Sequence, residues 1–159
     1  TSRYLQVLLP VFEALQRETS VRFVAVGARP EDFAGTPVET LPWLEENEVQ
    51  SIQRFDIGIM PLTDSPWDRG KCGYKLIQYM ACGVPVVASP VGVNSVIVKP
   101  GENGLLANDE EWEQQLAALL KDAEMRRLYG ERGRADVEGG YSLEVQAPRL
   151  FNAIREAVI

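Results

Sequence analysis

The sequence predicts an α/β fold, an open and mostly parallel sheet with helices on both faces. Three observations carry that prediction. Short runs of β-branched and other apolar residues alternate with helix-length segments of about 10 to 15 residues, the pattern of successive strand–helix–strand units. Val84-Pro85-Val86-Val87-Ala88 is apolar without interruption, as a strand covered on both faces must be. Glycines follow strand runs at Gly27 and Gly92, where the chain has to turn sharply into the next element.

Taken in order, residues 3–18 place Tyr4, Leu5, Leu8, Leu9, Phe12 and Leu15 at helical spacing, with Pro10 a break unless it falls near a helix start. Residues 21–27 read as a mostly buried strand closed by a glycine turn. Residues 38–41 form a short strand nearer an edge, flanked by Pro37 and Pro42. A modest helix over residues 45–54 turns Val49 and Ile52 inward, and residues 55–61 are the next strand. A polar loop then leads into a helix over about residues 71–82, followed by the strand at 84–88. A short helix within 92–98 precedes a last strand at 104–107. Asn108 is placed to cap the following helix with Glu111 at its third position, and Trp112, Leu116, Leu119 and Leu120 line that helix's inner face. Residues 123–138 and 142–157 make two further helices divided by Gly139-Gly140. No strand follows the last one, which packs around the domain edge or reaches toward a neighbour.

Composition narrows the function classes. The 159 residues suit one domain with a substantial core. A formal charge of -7 argues against a nucleic-acid face, which needs clustered Lys and Arg, but leaves room for one anion held by a lysine and backbone amides. There is no histidine, and the two cysteines, Cys72 and Cys82, lie about 15 Å apart if one helix carries both, too far for a disulfide. Zinc and Cys-His chemistry therefore lack ligands, and no metal is expected. Without a bilayer-length apolar run or a signal-peptide core, the expected setting is the cytoplasm, peripheral to a membrane at most. The opening on Thr1-Ser2, directly into helical periodicity, reads as a piece of a larger protein.

The informative stretch is residues 70–94, a glycine-bearing loop, a helix, a buried strand and a second glycine-bearing loop. Open α/β sheets bind ligands at the carboxyl ends of their strands, so a small-molecule site is expected there. Gly92, Val93 and Asn94 can present backbone amides to a phosphate at a helix start. Lys71, Lys75 and Gln78 share one helical face, offering two cations for an anion and an amide for hydroxyl groups. Neither the Gly-x-Gly-x-x-Gly dinucleotide fingerprint nor the Gly-x-x-x-x-Gly-Lys-[Ser/Thr] phosphate loop occurs. Asp56, Asp64, Asp68, Glu45 and Glu46 supply carboxylates, but no spacing forces an acid–base pair, and Trp43 and Trp67 serve equally as packing or as ligand borders.

The run Tyr79-Met80-Ala81-Cys82-Gly83-Val84-Pro85-Val86-Val87-Ala88-Ser89, with Val91-Gly92-Val93-Asn94 and Gly101-Glu102-Asn103-Gly104-Leu105-Leu106, resembles the C-terminal half of GT-B glycosyltransferases of family 4. The likeness extends upstream through residues 55–62 and downstream through the tail helices. It implies a Rossmann-like domain that binds a nucleotide-sugar donor, needs no further cofactor, and faces an N-terminal acceptor-binding domain across a cleft. The activity implied is retaining transfer of a sugar to a hydroxyl acceptor. Trp43 and Leu44 would then lie near the base, Gly92, Val93 and Asn94 near the phosphates or sugar, and Lys75, with Lys71, on the phosphate side. Where the family carries two glutamates eight positions apart, this chain has Gly70 and Gln78, and Val96 replaces a further acidic residue. Gln78 keeps hydrogen-bonding capacity toward a ribose, Gly70 offers only backbone, and no catalytic base is assigned. The resemblance also implies that this domain's first strand and the acceptor-binding domain lie outside these residues, leaving the isolated chain with little or no transferase activity. The alternatives are a non-catalytic nucleotide- or sugar-binding domain and a structural protein-interaction domain.

Overall fold

The computed structural model describes residues 2–157. Its strands are β1 (Phe23–Val26), β2 (Val38–Leu41), β3 (Gly58–Met60), β4 (Val86–Ala88) and β5 (Gly104–Leu106). All pair in parallel, in two groups, β1–β2 and β3–β4–β5. The helices are α1 (Ser2–Gln6), α2 (Leu9–Glu18), α3 (Glu48–Ile52), α4 (Pro66–Arg69), α5 (Tyr74–Ala81), α6 (Asn94–Ile97), α7 (Trp112–Lys121), α8 (Ala123–Gly140) and α9 (Leu143–Ala157).

Period-2 alternation in β4 divides the core into two layers. Val87 points into a cluster with Phe12 and Leu15 of α2 and with Trp112, Leu116 and Leu119 of α7. Val86 and Ala88 point the other way, against Leu76 and Met80 of α5, Ile97 of α6 and Val137 of α8. Because β4 has a strand on each side and helices on each face, all three of its residues are buried. β1 and β3 are each paired on one side only and are partly exposed. Between those two free edges runs a slot of about 420 Å³, walled by Val24 and Ile59 and by Phe12 and Tyr79 from the two helix layers.

Several expectations are corrected. Pro10 occupies the first turn of α2, where its missing N–H costs nothing, so the first helical run divides at Val7-Leu8. The segment 45–54 opens as a 3-10 turn at Glu45–Asn47 before α3, and Val49 is 57% exposed while Ile52 is buried. Glu111 accepts the Asn108 amide at 2.8 Å, but α7 starts only at Trp112, so Asn108 does not cap it. Gly139 and Gly140 lie inside α8, with open space where side chains would stand, and the break before α9 comes at Tyr141-Ser142. α9 packs on α8 without burying any of its described residues. Both cysteines are free.

Candidate functional site

A groove of about 1410 Å³ opens at the carboxyl ends of β1 and β3. One wall is the segment Gly70-Lys71-Cys72-Gly73 and the first turns of α5, with Tyr74, Lys75 and Gln78. The other holds Gly27, Trp43 and Glu48, from the β1 and β2 connections. Of the sequence-derived candidates, the groove therefore gathers Trp43, Gly70, Lys71, Lys75 and Gln78. Leu44, Gly92, Val93 and Asn94 stand outside its lining.

Packing explains that separation. Gly92 has φ +56°, and a Cβ there would stand 2.6 Å from the Arg69 carbonyl oxygen. Gly73 has φ +67°, and its Cβ would meet Ile97 Cδ1 at 2.4 Å and Val93 Cγ1 at 3.1 Å. The 69–73 segment thus lies between the Gly92 turn and the groove, backed by the turn and α6. Asn94 is wholly buried, and its Nδ2 donates to the Ser89 carbonyl at 3.1 Å, fastening the turn to the end of β4. α6 spans four residues, too few for an appreciable macrodipole.

The amino end of α5 is better placed. α5 has eight residues, and Gly73 precedes it without a side-chain cap. Among the described residues, the amides of Cys72, Gly73, Tyr74 and Lys75 donate to no protein acceptor. The first amides of a helix are its unpaired donors, so this wall of the groove suits an anion. Lys75 is exposed and has no ion-pair partner among the described residues.

Lys71 is differently employed. Its ammonium lies 2.9 Å from Asp68 and 3.9 Å from the centroid of the Tyr4 ring. Burial alone would lower its pKa, but hydrogen bonds to Tyr4 and Asp68 leave it raised. Asp68 is fully buried and accepts hydrogen bonds from the hydroxyls of Thr63, Tyr4 and Ser65 as well as from Lys71. Hydrogen bonding by Thr63 first, then Tyr4, holds its carboxyl well below the usual carboxylate range. Asp68, one of the carboxylates read from the sequence, is thus a buried anchor for Lys71 and three hydroxyls. Its signal is Ser65-Pro66-x-Asp68, a helix start in which the Ser65 hydroxyl accepts the Asp68 amide and donates back to its carboxylate.

On the opposite wall, Trp43 is 52% exposed, and its indole N–H donates to Glu48 Oε1 at 2.9 Å. A side chain at Gly27 would crowd the Trp43 Cβ at 3.1 Å, so the glycine lets the indole seat against the end of β1. Among the described residues no helix is long and apolar enough to cross a membrane, and no three His, Cys, Asp or Glu side chains cluster to hold a metal ion.

The sequence profile described as "Glycosyl transferases group 1" matches residues 2–122. The chain is 36% identical over 89 residues to D-inositol 3-phosphate glycosyltransferase of Segniliparus rotundus, a stretch covering 54% of this chain and 20% of that protein. It spans about one-fifth of the length of such curated relatives. The fold is similar to Anabaena HepE, solved in complex with UDP and glucose, at TM-score 0.77 and 16% identity over 94% of this chain and 44% of that one. It is also similar to the C-terminal domain of LpcC, a glycosyl transferase group 1 family protein from Francisella tularensis, at TM-score 0.56 and 19% identity over 86% and 65% of the two chains.

Proposed function

The chain belongs to the group 1 glycosyl transferases, and from that premise we propose that it is the donor-binding half of a retaining glycosyltransferase that moves a sugar from a nucleotide sugar to a hydroxyl acceptor. The observation that carries the proposal is the amino end of α5, where unpaired amides and Lys75 face a groove large enough for a nucleotide sugar. A leaving diphosphate develops charge as the glycosidic bond breaks, and fixed N–H dipoles with a nearby cation stabilise it without reorganising. Gln78 lies one turn further along α5, about 4.5 Å up the axis, in reach of the ribose of a donor whose phosphates sit at Lys75.

The same proposal accounts for the slot between β1 and β3. Both strands leave backbone groups unpaired toward it, and both helix layers supply apolar walls, the surroundings of a central parallel strand. A strand there would make one six-stranded sheet of the two groups. Such a strand, and an acceptor-binding partner domain closing the groove, are the parts on which transfer depends, and the isolated chain is expected to have little activity.

Titration calorimetry of the natural protein carrying this chain, against nucleoside diphosphates and nucleotide sugars, tests the proposal. Lys75→Ala is expected to weaken binding about tenfold and to flatten its salt dependence, with the circular dichroism unchanged. Failure of the folded protein to bind any of these ligands would overturn the donor reading. A non-catalytic nucleotide-binding role is the second reading, favoured by Gly70 and Gln78 standing where carboxylates would be. Donor binding without sugar transfer in the natural protein would select it.

A further inference from the structure

We propose that Trp43 and Glu48 form the base-reading end of the groove and select guanine over uracil. The proposal rests on the donor reading above and adds the identity of the base. The indole is exposed toward the groove yet held in place, backed by the end of β1 at Gly27 and tied by its N–H to Glu48. A fixed aromatic plane in a groove is a stacking surface for any nucleobase and discriminates little by itself.

Glu48 supplies the discrimination. It is half-buried, lines the same groove, and uses one lone pair of Oε1 for the indole, while Oε2 has no hydrogen-bond partner among the described residues. An ionised carboxylate accepts only, with about four lone-pair sites over its two oxygens. Guanine alone among the common bases offers two adjacent donors, N1–H and the N2 amino group, on the edge remote from its sugar. Uracil offers one donor between two carbonyl oxygens, which a carboxylate repels. Adenine and cytosine each pair a donor with a ring-nitrogen acceptor.

The placement across the groove agrees with this assignment. Glu48 opens α3 and lines the same groove as Gln78. Lys75 and Gln78 follow one another on the α5 wall, and Glu48 stands with Trp43 on the wall opposite, so a donor with its phosphates at Lys75 and its ribose at Gln78 carries its base across to the Trp43–Glu48 end.

Calorimetry with GDP, UDP and ADP on the natural protein carrying this chain tests the proposal. GDP is expected to bind at least tenfold more tightly than UDP or ADP. Glu48→Gln should erase most of that preference, mainly by weakening GDP. Trp43→Ala should weaken GDP and UDP by similar factors. Circular dichroism and the urea midpoint establish that each variant is folded, and Glu48→Ala, which likewise removes the carboxylate, serves if Glu48→Gln is not. Equal binding of GDP and UDP, or a GDP preference that survives Glu48→Gln, would overturn the base assignment while leaving the donor groove standing. No binding of any nucleotide would overturn both.

Discussion

Two glycine-bearing segments flank β4, and the residues alone assign phosphate-facing amides to the second of them, at Gly92. In the fold they do different work. Gly73 opens α5 at the groove wall; amides without a protein acceptor among the described residues occur both there and at Gly92 and Val93, so it is position that separates the two segments. Gly92 is set against the Arg69 backbone, behind the segment that forms that wall. A glycine at a strand end reports a close approach, and the approaching partner can be the protein's own backbone as readily as a ligand's phosphate.

Substitution at Gly92 itself has the largest expected effect. Gly92→Ala forces a side chain into the left-handed region and onto the Arg69 carbonyl, and is expected to cost about 3 kcal/mol in urea unfolding. Gly101 has φ +81° and open space around it, so Gly101→Ala carries only the backbone penalty of about 1 kcal/mol. Equal losses at the two sites would mean that the Gly92–Arg69 contact is not made.

The two lysines sharpen the same contrast between support and ligand contact. Lys71→Met deprives buried Asp68 of its cation and is expected to lower the unfolding midpoint, with nucleotide affinity changed less than about threefold. Lys75→Met should do the reverse, leaving the midpoint in place and weakening nucleotide binding about tenfold. A Lys71 variant that keeps its midpoint and loses binding would exchange the two assignments.

A smaller effect follows from protonation. The folded pKa of Asp68 is depressed below the unfolded value of about 3.9, so its contribution to stability is present above that value and lost as pH falls toward the folded one. Unfolding free energy should therefore drop more steeply below about pH 4 in the parent protein than in Asp68→Asn. Parallel acid limbs in the two proteins would remove Asp68 from the linkage.

Much of the layout is legible in the residues because its signals are local. Alternation, apolar runs and glycine turns place all five strands in order, and the run from Lys71 to Ser89 marks the helix and strand beside the groove. What escapes is set by distant partners. The use of Gly92 depends on Arg69, and the burial of Asp68 depends on Tyr4, 64 residues earlier in the chain. Val49 sits at helical spacing but on a helix one turn long, whose outer side faces solvent. Gly139 and Gly140 remain helical because they extend a helix already anchored by Tyr129 and Val137, where propagation is cheap and a glycine costs about 1 kcal/mol. The Trp43–Glu48 hydrogen bond joins residues five apart across the turn into α3, a pairing that no helical or strand period announces.

The placement of the diphosphate is tested most directly by following backbone amide resonances of the protein during titration with GDP and UDP. The largest shifts and the strongest hydrogen-exchange protection are expected at Gly73, Tyr74 and Lys75, with Gly92 and Val93 little changed. Protection concentrated at Gly92 and Val93, with the amino end of α5 unaffected, would contradict that placement.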